Sequence, residues 1–154
     1  WNMSHDKVIE ILNEISKNKN LNVIIKRKNQ NSYKSKIQIN KNIKVFEGGT
    51  AEKYINKSDI IIGHNSGSTI EALANGKHVM VPFFEKSIKQ KKFLYKFNQD
   101  IVYSSERKLK KRIFQLVGKK NIFPLENRKN KKNVEYFLGS SKNVINKCER
   151  FLNS

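Results

Sequence analysis

Between residues 43 and 82 the chain repeats one pattern: a short β-branched run, a turn of glycine or small hydroxyl residues, and a stretch with helical spacing. The runs are Ile43–Phe46, Asp59–Ile62 and His78–Val81, the last stopped by Pro82. Runs this short and this apolar belong to strands buried on both faces of a parallel sheet. Parallel neighbours cannot be joined by a hairpin and need a crossover, usually a helix. The pattern therefore restricts the chain to an α/β fold, a Rossmann-like parallel sheet with helices on both faces.

The flanking sequence extends the alternation. Residues Ser4–Lys17 carry Val8, Ile11, Leu12 and Ile15 at i, i+3, i+4, i+7 spacing, which predicts an amphipathic helix with Ser4 as N-cap and Asp6 in the first turn. Leu21–Ile25 predicts a first strand ending in the basic cluster Lys26–Lys28, and Asn29–Asn42 reads as a polar loop. Thr50 is placed to cap a short helix through Asn56. A helix over Ser68–Asn75 is closed by Gly76, at the position where a left-handed residue is needed. Ile101–Tyr103 predicts a fifth strand, and Ser105–Val117 a helix turning Leu109, Ile113, Phe114 and Leu116 or Val117 inward. Asn121–Lys132 reads as a loop, followed by helical stretches near Asn133–Leu138 and Ser141–Leu152. One domain over residues 1–154 is expected.

Charge is the other conspicuous feature: 32 Lys+Arg against 13 Asp+Glu give a formal net charge of +19. Such a balance is the footprint of polyanion binding through phosphate contacts. Arginine, however, occurs only at Arg27, Arg107, Arg112, Arg128 and Arg150, and base-edge reading favours its bidentate guanidinium over lysine. Lys, Asn and Ile are abundant together and share A/T-rich codons, so the charge reads mainly as a solvated lysine surface, and nucleic acid is not the expected partner. Lysines within Lys86–Lys92 and Arg128–Lys132 leave peripheral contact with an anionic membrane open. No apolar run approaches the ~18 residues of a membrane span. The lone Cys148 excludes an internal disulfide, no Cys/His cluster has zinc-site spacing, and no metal is implied. With no signal-peptide pattern at the N-terminus, a soluble, cytoplasmic protein is expected.

The chemistry concentrates after Ile62. A turn at the carboxyl end of a parallel strand is where α/β sheets place ligands. Asn65, Ser66, Gly67, Ser68 and Thr69 offer hydroxyls and backbone N–H groups at the start of a helix, whose positive end attracts phosphate. Gly67 permits close backbone approach, and the Glu71 carboxylate suits the two hydroxyls of a ribose. The competing reading is that Ser68 and Thr69 only cap the helix and Glu71 completes a capping box with Ser68. His64 can serve a leaving phosphate as acid or donor, or it only hydrogen-bonds the backbone. His5, His78 and Cys148 read as structural. The aromatics Phe83, Phe84, Phe93, Tyr95 and Phe97 read either as core or as an acceptor surface.

The segment Phe46–Pro82 resembles the C-terminal, nucleotide-sugar-binding domain of the GT-B glycosyltransferases, most of all the branch that builds bacterial capsule, lipopolysaccharide and other surface polysaccharides. The residues that carry the resemblance are Phe46-Glu47-Gly48, Ser58-Asp59, Asn65-Ser66-Gly67-Ser68-Thr69, Glu71-Ala72-Leu73-Ala74-Asn75-Gly76-Lys77-His78-Val79 and Pro82. It implies that Glu71 contacts the donor ribose, that Ser66–Thr69 line the phosphates, and that the loop Phe46–Gly49, with Gly48, borders the base. Lys26 and Arg27 stand where such enzymes often keep a basic residue for phosphate, or they are a solvated strand end. Retaining members carry a Glu eight positions before the ribose Glu, where this chain has Gly63, and His78 replaces the usual Pro. Relatives using cytidine-activated sugars show Lys-Pro-His-Pro after the first strand, whereas here it is Lys26-Arg27-Lys28-Asn29, so the base is left open.

The resemblance makes the chain one half of a GT-B fold, binding a nucleotide-sugar as substrate with no cofactor. The partners implied are a glycan or glycolipid acceptor and an N-terminal acceptor domain or subunit, because a chain of this length lacks room for both halves. Residues 1–154 are then expected to be a fragment of, or partner to, a two-domain enzyme working in the cytoplasm at the inner face of the membrane. Two other classes stay open: an epimerase of the same architecture acting on a nucleotide-sugar, and a basic nucleic-acid-binding module.

Overall fold

Among the described residues every strand pairing is parallel, as short apolar runs joined by crossovers require. The computed structural model describes residues 2–28, 36–63, 67–84 and 101–117. In chain order the elements are α1 (Asn2–Ile15), β1 (Ile24–Arg27), β2 (Lys44–Glu47), α2 (Glu52–Lys57), β3 (Ile60–Ile62), α3 (Gly67–Ala74), β4 (His78–Pro82), β5 (Val102–Tyr103) and α4 (Glu106–Leu116). β1 pairs with β2, and β3, β4 and β5 form a second ladder with β4 in the middle. The fold is α/β, parallel sheets with helices on both faces.

Side-chain alternation along the strands assigns the helices to their faces. Ile60, Ile62 and Met80 join one core cluster with Ile11 and Ile15 of α1 and Leu109 of α4. Their neighbours Ile61, Val79 and Val81 point the other way, to Ala72 and Leu73 of α3 and Ile55 of α2. β4, covered on both faces and paired on both edges, is buried at every position. α1 and α4 pack together and are joined across their rims by Lys7–Glu106 at 2.7 Å and by Lys110–Glu14. These pairs are largely exposed and contribute little, in the range of about 0–1 kcal/mol each.

Several boundaries differ from the sequence expectation, each for a local reason. α1 begins at Asn2, which puts Ser4 inside the helix rather than at its cap. The first strand is displaced from Leu21–Ile25 to Ile24–Arg27, because the ladder continues through Lys26 and Arg27 opposite Phe46 and Glu47. Backbone pairing does not depend on side-chain polarity, and on this outer pair the cations reach water from within the strand. α2 has Ala51, not Thr50, at its N-cap and receives no side-chain cap bond. Pro82 ends β4 without leaving it: it lies opposite Tyr103, and the next N–H, of Phe83, donates to the Tyr103 carbonyl at 2.8 Å. Phe114 is 44% exposed, since Leu109, Ile113 and Leu116 already fill the inward stripe of α4. Of the polar loop after β1, residues 38–40 are held to α1 by Asn13, whose Nδ2 donates to the Gln38 carbonyl and whose Oδ1 accepts from the Asn40 N–H, both at 2.8 Å.

The expected loop 121–132, the helices near 133–138 and 141–152, Cys148, and the aromatics Phe93, Tyr95 and Phe97 lie outside the described residues. Among the described residues no helix is long and apolar enough to cross a membrane.

Candidate functional site

The junction between β3 and α3 is built on one close approach. Gly63 follows β3 and its N–H donates to the Met80 carbonyl at 3.1 Å, extending the β3–β4 ladder by one bond. A Cβ at Gly63 would stand 2.9 Å from Oγ1 of Thr69, closer than side chains are found. Thr69 is itself 2% exposed in the first turn of α3, so it has little space to retreat. The absence of a side chain at 63 thus lets the strand end and the helix start lie against each other. A Glu at this position, as retaining glycosyltransferases carry, has no room here without moving Thr69.

α3 runs from Gly67 to Ala74 and is terminated by a complete Schellman arrangement. Gly76 has φ +67, its N–H donates to the Leu73 carbonyl at 3.0 Å, and the Lys77 N–H donates to the Ala72 carbonyl at 2.9 Å. Ala72 and Leu73 are fully buried and lock the helix to the sheet. Ser68 is helical and exposed rather than the N-cap, and Glu71 lies in the second turn. The capping box between them is therefore absent, and Glu71 is released from that role. Its side chain is half-buried; its backbone carbonyl accepts from Asn75 Nδ2 at 3.0 Å, and no hydrogen bond or ion pair to its carboxylate occurs among the described residues. His64, Asn65 and Ser66, which link the two sides of the junction, lie outside the described residues.

A second group gathers at the end of β1 and β2. The parallel register sets Arg27 beside Glu47, and its Nη1 donates to Oε1 of Glu47 at 3.1 Å. Lys26 turns its Nζ back onto the Arg27 carbonyl at 2.6 Å. The Arg27 charge is thus paired with Glu47, while Lys26 keeps its full charge against a neutral carbonyl. Beyond Glu47, Gly48 and Gly49 adopt φ +67 and +68 in succession, with open space where side chains would be. This double left-handed turn carries the chain to α2, which packs against α3. The sequence did not single out Tyr54, on α2. Its ring lies 5.0 Å from that of Phe46 at 37°, and Lys53 Nζ sits 5.0 Å above it. With Phe46 38% exposed, the pair forms an aromatic surface beside Gly48. The signal was present in the spacing of two aromatics around a Gly-Gly turn.

His78, which stands where the resemblance expects proline, is 5% exposed in β4. Its N–H donates to the Asp59 carbonyl at 3.3 Å, a bond that proline could not make. Among the described residues no group of three or more His, Cys, Asp or Glu could hold a metal ion.

The arrangement places the N-terminus of α3, whose positive end attracts anions, one turn before the Glu71 carboxylate, with the Phe46–Tyr54 pair on β2 and α2. Comparison of the chain with family models, with curated proteins and with solved structures returned no match.

Proposed function

We propose that this chain is the donor-binding half of a glycosyltransferase that moves a sugar from a nucleotide-activated donor to a surface polysaccharide or glycolipid. The observation that supports the reading most is the β3–α3 junction, where Gly63 and Thr69 hold the strand end against the start of the helix. Backbone N–H groups of Gly67 and Ser68, with the helix dipole behind them, suit the phosphates. Glu71 accepts from the ribose hydroxyls, and the exposed ring of Phe46 takes the base. As the donor's glycosidic bond breaks, charge grows on the departing phosphate, and preorganised N–H groups stabilise it without reorganising. Asn65, Ser66 and His64 complete the phosphate loop in this reading, and Lys26 and Arg27 flank it. The acceptor and the base that deprotonates it belong to a second domain, and the work is done in the cytoplasm at the membrane's inner face.

The test is calorimetric titration of the chain with UDP, CMP, GDP and ADP at moderate salt, repeated with Glu71→Ala. One nucleotide is expected to bind selectively and the substitution to weaken it about tenfold to hundredfold, the scale of hydrogen bonds to a charged group. Equal binding of all four, or affinity untouched by the substitution, removes the proposal. Preference for random oligonucleotides with a steep salt dependence would replace it with the polyanion reading.

A further inference from the structure

We infer that Asn75 is a site of spontaneous covalent modification: it cyclises onto the Gly76 nitrogen when the end of α3 opens, and the Schellman turn keeps it intact while closed. Residues 75 and 76 form the one Asn-Gly pair in the 154-residue sequence. The fold requires this glycine, because residue 76 has φ +67, where any side chain is strained. The same missing side chain leaves the Gly76 nitrogen unhindered toward the carboxamide that precedes it. Asn75 is exposed, so water reaches that carboxamide.

In the reaction the Gly76 nitrogen gives up its proton and bonds to Cγ of Asn75, the Cγ–Nδ2 bond breaks, and Nδ2 leaves with that proton as ammonia. Water then adds to either carbonyl of the succinimide ring, leaving aspartate or isoaspartate. The closed helix end opposes the first step at each reacting atom. The Gly76 N–H is committed to the Leu73 carbonyl at 3.0 Å, and the Lys77 N–H fixes the following peptide on the Ala72 carbonyl at 2.9 Å. Asn75 Nδ2 donates to the Glu71 carbonyl at 3.0 Å, beside the bond from the Asn75 N–H at 2.9 Å. A helical side chain leans toward the helix N-terminus, so this bond draws Cγ back along α3 and away from the Gly76 nitrogen. Ala72 and Leu73, at 0% exposure, anchor the two acceptor carbonyls.

The products cannot rebuild the turn. An ionised aspartate at 75 has no donor for the Glu71 carbonyl and sets negative charge at the negative end of the helix. Isoaspartate adds a methylene to the main chain just ahead of the Gly76 and Lys77 N–H groups, which moves both from their acceptors. Once made, the modification therefore leaves the end of α3 frayed. The inference stands on this helix end and is independent of the donor reading.

Timed incubation in mildly alkaline buffer tests it, with the chain either folded or held in guanidinium above its unfolding midpoint. Mass spectrometry of the tryptic peptide 58–77 follows the amide-to-acid conversion, and fragmentation separates Asn75 from Asn65. In denaturant Asn75 is expected to convert faster than Asn65 and to yield isoaspartate as well as aspartate. In the folded chain its conversion follows the population of the opened helix end and is expected to be slower on the order of tenfold or more. Ala74→Gly, at an exposed position in the last turn of α3, eases that opening without touching the reacting pair. It is expected to speed conversion in the folded chain about two- to fivefold and to leave the rate in denaturant unchanged. Three results overturn the inference: conversion of Asn75 in denaturant no faster than that of Asn65, conversion in the folded chain as fast as in denaturant, or a folded rate that Ala74→Gly leaves unchanged.

Discussion

Gly63→Ala is the smallest change that interrogates the β3–α3 junction. The new methyl would stand 2.9 Å from Thr69 Oγ1, about half an ångström inside ordinary contact. Thr69 is β-branched, stiff at χ1 and 2% exposed, and the turn after it holds Ala72 and Leu73 at 0% exposure. Relief must therefore come from moving the start of α3. Overpacking of this kind costs about 1–3 kcal/mol. The backbone of Gly63 is not in the left-handed region, so alanine also recovers about 0.4–1 kcal/mol by restricting the unfolded chain. The net expectation is a loss of about 0–2.6 kcal/mol in urea unfolding followed by circular dichroism, with a weaker nucleotide site. Thr69→Ala removes the opposing oxygen, so the double variant should lose less than the two single variants together, by about 1 kcal/mol or more. A stabilising Gly63→Ala, or a penalty unchanged in the Thr69→Ala background, refutes the close approach.

Other consequences are local and separable. Gly76→Ala forces a side chain into φ +67 at the Schellman turn and should cost about 1–2 kcal/mol in the same unfolding assay. Ser105→Ala removes the side-chain acceptor for the Lys108 N–H that caps α4, a bond of 3.3 Å, and should cost about 0.5–1 kcal/mol. His5 is held below its ordinary 6.5 by burial first, then by the N-terminal amino group, with Asp6 opposing. The unfolded chain therefore takes up its proton first, so stability present above pH 6.5 is lost as pH falls below it, and His5→Gln should flatten that slope in unfolding measured across pH.

How far the molecule was legible in its sequence depended on whether the deciding interaction was local. β4 was legible because a run apolar on both faces has few other places to go, and the end of α3 was legible because Gly76 and its two bonds span only a few residues. The inward stripe of α4 followed from Leu109 and Ile113, whereas Phe114, one residue past Ile113, is turned away by the helical twist. The displacement of β1 was hidden because Lys26 and Arg27 look like a strand's end, while their place is set by backbone pairing to residues about twenty positions later. At the candidate site, the residue types of the turn proposed to hold phosphate and Glu71 could be read directly. The contact of Gly63 with Thr69 and of Phe46 with Tyr54 could not, because each depends on how a strand meets a helix. The division into two ladders is likewise a property of edges, about which a run of isoleucines says only that it belongs inside.

In the proposed function a nucleotide's phosphates sit at the start of α3. The most direct measurement is ¹H–¹⁵N shift mapping of the chain during titration with whichever nucleotide binds selectively. Saturating changes concentrated at Gly63, Gly67 and Ser68, persisting as salt is raised, are expected. Changes spread over the lysine-rich surface and vanishing with salt, with those three amides unmoved, would contradict it.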